Sequence, residues 1–354
     1  MSAVAQIVAS CASESGLSDA LDPFAPTGSL LERFARNPFL MAPMAGVSDG
    51  AYRIMARLGG AALAYSEMVS VTGIHYGSVK TWELVLPNEF EPDIAVQLFG
   101  SDPNHFAEAT ERVTSELGNK LVLIDINMAC PVPKVTKGGG GSALLDEPLL
   151  AERIVRSCAG ATQVPVTVKI RRGRRMGEEV ATEFSKRMAD AGAQAIAVHG
   201  RYASQMYRGI ADWEVVRRVA DAVDVPVIGS GDVRGAPEAV EMLRSCGCAA
   251  VMIARGTYGN PWVFGQSRDL LRAATAITTI PTTSQRIQAF CEHVRVLDAT
   301  GAHMARGRSL AGWYLRGLPH AALWRGEATS CTTLGDYMDL VRRLEAEVKP
   351  HGGR

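Results

Sequence analysis

Eight short apolar runs, rich in β-branched residues, recur along the chain at a spacing that admits few architectures. They read FLMAPM (Phe39–Met44), AALAYSEM (Ala61–Met68), IAVQLFG (Ile94–Gly100), LVLIDINMAC (Leu121–Cys130), VPVTVKI (Val164–Ile170), AQAIAVHG (Ala193–Gly200), VPVIGSGD (Val225–Asp232) and AAVMIARG (Ala249–Gly256). Successive runs begin 22 to 43 residues apart, room for one helix and two loops each time. Between them, HFAEATERVTSEL (His105–Leu117), ATEFSKRMADAG (Ala181–Gly192) and WEVVRRVADAV (Trp213–Val223) set apolar residues three and four apart, the helical period. Strands of near-continuous apolar sequence are buried on both faces, as in a parallel sheet covered by helices. Eight such units predict an α/β fold, a (β/α)8 TIM barrel. An open doubly wound sheet is the alternative, but the first run lacks the glycine-rich fingerprint of that fold.

After Phe264 the rhythm stops. SQRIQAFCEHVRVLDA and LGDYMDLVRRLEAEVKP have helical spacing, and Tyr337, Leu340, Val341, Leu344 and Val348 form one apolar stripe. Residues 37–270 therefore read as the barrel. Residues 283–349 read as a small C-terminal helical domain joined through the Thr/Pro-rich ITTIPTTS; extra helices packed on the barrel are the other reading. Residues 1–36 read as a flexible tail. Its VASC (Val8–Cys11) has the look of a lipid-modification site, yet Met1–Ser10 contains no Lys or Arg and too short an apolar stretch for a signal core.

No apolar run approaches the roughly 20 residues needed to span a bilayer, so a soluble protein without a membrane partner is expected. Seven scattered cysteines show no metal-ligand spacing; reduced thiols in a cytoplasmic protein and no metal site follow. Zero net charge argues against a purely electrostatic nucleic-acid binder. Its distribution is uneven, however. Up to Cys130 there are 7 Lys or Arg against 15 Asp or Glu, so with 37 of each overall the remainder is basic. One face of such a chain suits an anionic partner.

Active sites of these barrels lie at the C-terminal ends of the strands. Those ends carry Pro43, Met44 and Ala45; Glu67; Gln97; Asn127 and Cys130; Lys169; His199; Ser230, Gly231 and Asp232; and Ala254 and Arg255. Singly, Lys169 reads as a snorkelling lysine and His199 as a structural histidine; polar caps on eight apolar runs are hard to ascribe to packing. Turns after strands seven and eight commonly hold a phosphate, and Arg255 can pair with it. Lys169 favours negative charge on a bound ring, and Gln97 both donates and accepts, as a flavin edge requires. FMN fits better than a nicotinamide. Cys130, followed by Pro131, Pro133 and Gly138–Gly141, reads as a general acid on a closing lid, where a bland cysteine would be a small buried hydrophobe. Lys134 and Lys137, Arg171–Arg175, and Arg201 and Arg208 follow three successive strands, and Arg306, Arg308 and Arg316 lie in the rear. A charge run is usually a solvated face; three basic loops on one rim suit a polyanion with a base turned into the pocket.

In register from Phe39 to Phe264, with weaker echoes to Pro319, the motifs MAPMAGVSDGAYR, SEMVS, VQLFGSDP, DINMACPVPKVTKGGGGSALL, VKIRRG, HGR, VIGSGDV and MIARGTYGNPW resemble bacterial tRNA-dihydrouridine synthases, the Dus family. The resemblance implies an FMN-bearing barrel that uses NADPH to reduce the C5=C6 bond of chosen uridines in tRNA, with no further protein partner. By position it implies that Pro43, Met44, Ala45, Gln97, Lys169 and His199 meet the flavin. Ser230, Gly231, Asp232, Ala254 and Arg255 would meet its ribityl phosphate, Asn127 would orient the uracil, and Cys130 would protonate C5. Lys134, Lys137, Arg171, Arg172, Arg201 and Arg308 would face the tRNA. Four positions depart from the family pattern: Ala129 for Gly, Ser230 for Asn, Ala254 for Gly, and GRSLAGWY for an RKH-type run, which keeps Arg308. A flavin barrel acting on a small molecule and a non-catalytic RNA binder are the competing readings.

Overall fold

The structure, a computed structural model, describes residues 3–17, 21–273 and 280–348. Eight parallel strands form one sheet: β1 (Phe39–Met41), β2 (Tyr65–Ser70), β3 (Ile94–Phe99), β4 (Leu121–Met128), β5 (Val166–Gly173), β6 (Ala195–Tyr202), β7 (Val227–Ser230) and β8 (Ala250–Ile253). Their order, β1-β8-β7-β6-β5-β4-β3-β2, joins first to last. A parallel bridge between Met41 and Ala64, with the Met41 N–H donating to the Leu63 carbonyl at 2.9 Å, closes the remaining seam. The TIM barrel expected from the eight runs is the fold.

Alternation decides which side chains fill it. Leu40, Ala42, Tyr65, Ala95, Leu123, Ala195, Ala197, Ile228, Ala250 and Met252 pack into one interior cluster, where small alanines make room for Tyr65 and Met252. Phe24, Leu30 and Phe34 join the same cluster and plug the end opposite the strand C-termini. They are held by the helix Leu30–Arg36, whose N-cap Ser29 and Glu32 form a reciprocal capping box. Residues 21–36 are thus a structural part of the barrel, not the flexible tail read from sequence. The helix Ala3–Glu14 likewise packs on Thr283–Ala299 and buries Cys11 completely. Among the described residues no helix is long and apolar enough to cross a membrane.

The rear helices, Thr283–Ala299, Arg306–Tyr314, Ala321–Ala328 and Leu334–Val348, bury the stripe of Tyr337, Leu340, Val341 and Leu344. They share a continuous core with the barrel's outer layer. Tyr52 of the helix Gly50–Leu58 meets His293 at 5.4 Å and Trp313 at 6.1 Å between ring centroids, and Tyr258 stacks on Trp313 at 4.1 Å. The rear helices are therefore packed on the barrel wall. Part of ITTIPTTS, residues 277–279, lies outside the described residues.

A candidate active site at the strand C-termini

Strand register lines up the polar residues. Gln97 stands opposite Asp125, Asn127 opposite Lys169, Arg171 opposite His199, and His199 opposite Ser230. A chain of hydrogen bonds climbs from the interior to the rim. Thr167 Oγ1 donates to Asp125 Oδ1 at 2.6 Å, Gln97 Nε2 to Asp125 Oδ2 at 2.6 Å, and Asn127 Nδ2 to Gln97 Oε1 at 2.8 Å. Asn127 Oδ1 then accepts the backbone N–H groups of Ala129 and Cys130, at 3.1 and 2.9 Å. Asp125 was not among the sequence candidates, although it lies two residues before Asn127 and so faces the same way. Burial raises its pKa, offset by Thr167, Gln97 and Lys169. Burial drops Lys169 to about 8, with Asp125 pulling it up and Arg171 pushing it further down.

Cations gather around His199. Burial, then Lys169, Arg171, Arg201 and Arg255, drive its pKa well below the ordinary value, so it is neutral. Its Nδ1 accepts the Arg201 backbone N–H at 3.2 Å. Asp232 takes a left-handed backbone, φ 53°, after Gly231 at φ 115°. From there Oδ2 accepts from Arg201 Nη2 at 2.7 Å and from the Ala211 N–H at 2.8 Å, while Oδ1 lies 3.4 Å from Arg255 Nη2. A side chain at Gly231 would meet Ala211 Cβ at 2.8 Å, so this turn has room only for glycine. Arg201, read from sequence as an RNA contact, is 1% exposed and points inward. Tyr207, missed by the sequence reading, stands exposed on the rim with Arg255 at 4.8 Å and Arg171 at 5.9 Å from its ring centroid.

Cys130 sits just past β4, half-buried. Burial raises its thiol pKa, opposed by a hydrogen bond with the Val132 backbone and by the Arg171 charge. The other six cysteines are fully buried, as expected for small hydrophobes. The glycines after Cys130 do a different job from the lid hinge inferred from sequence. A side chain at Gly141, φ 59°, would strike the Cys130 carbonyl at 2.6 Å, and one at Gly140 the Gly100 carbonyl at 2.8 Å. They let the loop pack beneath Cys130, whose carbonyl accepts the Ser142 N–H at 3.0 Å.

The other sequence candidates divide. Met44 is buried and its N–H donates to Ser48 Oγ at 2.8 Å, Pro43 is half-buried and Ala45 exposed on the loop after β1; Ser230 is buried and Ala254 half-buried on the rim. Lys134, Lys137 and Arg208 are exposed with no ion pair among the described residues. Arg172 is paired with Glu179 and Asp212, at 2.7 and 3.0 Å. Arg308 lies on the rear helix, exposed, 3.5 Å from the Cys331 carbonyl. Arg171 is a correction: β5 runs on to Gly173, so Arg171 shares the inward face of Thr167 and Lys169 and is 4% exposed. It is no surface contact.

The sequence model of the dihydrouridine synthase (Dus) family matches residues 40–349. The chain belongs to the dihydrouridine synthase family. It is 35% identical over 316 residues to a protein of Synechocystis sp. named probable tRNA-dihydrouridine synthase 1, covering 88% of this chain and 87% of that one. It is 34% identical over 322 residues to tRNA-dihydrouridine synthase B of Pseudomonas aeruginosa, covering 89% and 95%. The corresponding protein of Vibrio parahaemolyticus is 35% identical over 297 residues, covering 82% and 90%.

Dus enzymes are flavin-dependent, and the rim of this chain has the chemistry to accept a flavin phosphate. Arg201 Nη1 is buried without a hydrogen-bond partner among the described residues, a costly state that an anion would relieve. Around His199, Lys169, Arg171, Arg201 and Arg255 gather, with Asp125 beside Lys169 and Asp232 paired to Arg201 and Arg255 among the described residues. The excess positive charge matches a phosphate dianion.

Proposed function

We propose that this chain is a cytoplasmic tRNA-dihydrouridine synthase, with FMN as its resident flavin and NADPH as the reductant. When bound, FMN supplies hydride for C6 of the target uracil. The chain's residues hold, orient and protonate. Pro43, Met44 and Ala45 line the flavin, with His199 beside it. Gln97 and Lys169 meet the polar edge of its ring. Ser230, Gly231, Asp232, Ala254 and Arg255 take the phosphate end, where Asp232 aims Arg201 and Arg255. Neutral His199, its Nδ1 taken by the Arg201 N–H, donates through Nε2 without adding charge. Asn127 orients the uracil and, through its hold on the Cys130 amide, the acid that serves it. Cys130 gives its Sγ proton to C5, and the thiolate left behind regains a proton from water. Lys134, Lys137, Arg208 and Arg308 meet tRNA phosphates.

The single observation that carries this reading is the placing of a half-buried thiol at the end of β4, on a backbone tied by Asn127 to the Gln97–Asp125 network. Purified protein loaded with FMN is the material for the test. Cys130→Ala is expected to keep its flavin spectrum and NADPH oxidation yet form dihydrouridine in tRNA at least a hundredfold more slowly. Wild-type rates in that variant sink the proton-donor role. A wild-type protein that binds no flavin sinks the whole reading.

A further inference from the structure

The peptide unit joining Ala129 to Cys130 is held at both polar ends by side chains. Its N–H goes to Asn127 Oδ1 at 2.9 Å, and its C=O accepts from Arg171 Nε at 3.0 Å. Arg171 Nη1 also donates to the carbonyls of Tyr202 and Met206, at 3.1 and 2.9 Å. One buried guanidinium therefore ties the loop after β4 to the loop after β6. Met206 is itself held at φ 53°, an uncommon backbone for a side chain of its size. Two of the three guanidinium nitrogens, Nε and Nη1, are bound to carbonyls inside the rim, and at 4% exposure the side chain does not reach the outer surface where a polynucleotide would lie.

We propose that Arg171 is a positioning residue for Cys130, clamping the peptide before the sulfur so that the thiol stands at a fixed height over the barrel mouth. The role rests on the function proposed above for its consequence in catalysis, but its geometry does not. The charge of Arg171 also acts on the thiol, opposing the effect of burial. When Sγ gives up its proton, the thiolate is left beside that positive charge, and the clamp keeps sulfur and acceptor atom in reach.

Two variants of the FMN-loaded protein test this, Arg171→Met and Arg171→Lys. The first readout needs no catalysis: the pH midpoint of Cys130 alkylation by iodoacetamide, followed by peptide mass spectrometry. Arg171→Met is expected to raise that midpoint by on the order of one pH unit, through loss of the neighbouring cation. Arg171→Lys, which keeps the charge but not the planar fork, should hold the midpoint near wild type. Both are expected to lower kcat for dihydrouridine formation about a hundredfold, with tRNA affinity within twofold of wild type. If Arg171→Met does not fold, Arg171→Lys decides: wild-type kcat, or weakened tRNA binding with kcat intact, overturns the proposal. An unchanged alkylation midpoint in Arg171→Met overturns it as well. Wild-type protein inactive on tRNA overturns the proposed function instead, and the alkylation result still judges the clamp.

Discussion

Arg306 Nη2 lies 3.0 Å from Glu67 Oε1, so a residue of the rear helices is ion-paired to the middle of β2. Arg306 Nη1 also reaches Asp49 Oδ2 at 2.9 Å, and Glu67 Oε2 accepts the Gly46 N–H at 2.5 Å. The rear helices are thus tied to the loop that follows Pro43–Ala45. Without Arg306, a partly buried Asp49 and a buried Glu67 would confront each other. Arg306→Met is expected to destabilise the fold by about 1–3 kcal/mol, less than a fully buried pair because Arg306 is a third exposed. A double-mutant cycle with Glu67→Gln, read by denaturant unfolding, should give a coupling of about 1 kcal/mol; additive effects would mean that the pair is inert.

The plug beneath the barrel gives a second expectation. Phe34 is fully buried against the interior cluster, so Phe34→Ala should cost about 3–5 kcal/mol. A cost below 1 kcal/mol in urea unfolding would return residues 21–36 to the status of a loose tail.

Acid should weaken the fold through His293. Burial lowers its pKa to about 3, and Nδ1 lies 3.1 Å from the Tyr314 hydroxyl. The unfolded imidazole takes a proton near pH 6.5, the folded one only near 3, so between these values the unfolded state binds more protons. Stability is therefore full above pH 6.5 and falls as pH drops, by about 2 kcal/mol at pH 5 from this group alone. His199, also neutral in the fold, adds in the same direction. Unfolding free energies measured from pH 7 to 5 should show this slope, and His293→Phe should lower it by one proton equivalent. An identical slope in the variant rejects His293 as a source.

Polyanion binding should depend on the unpaired cations. Lys134→Gln, Lys137→Gln and Arg208→Gln are each expected to weaken tRNA binding and reduce the slope of log K against log salt by about 1. Arg172→Gln and Arg174→Gln, whose partners are Glu179 and Asp146, should change it far less. Equal effects across both sets, in a filter-binding salt titration, would show that the ion pairs open on binding.

The eight runs were legible because a strand buried on both faces leaves an apolar signature that nothing else in the chain imitates. Polar residues closing apolar runs stood out as well, and the strand register lines up Gln97, Asn127, Lys169, His199 and Ser230 from among them. Arg171 misled because RRGRR reads as a loop, whereas the strand continues and period-two alternation from Lys169 turns the side chain inward. Gly140 and Gly141 misled because sequence does not distinguish a glycine that bends from one that makes room. Arg306 looked free because its partners, Asp49 and Glu67, lie more than two hundred residues earlier. Cationic character is local information; pairing over such a separation is tertiary information.

Closing the ring on β1 and β8, where Leu40 sits beside Met252, has a price during synthesis. Phe24, Leu30 and Phe34 leave the ribosome long before β8, yet the cavity they fill has no complete wall until that strand emerges. For most of translation these greasy residues have no home, and their burial must wait for the last strand of the barrel.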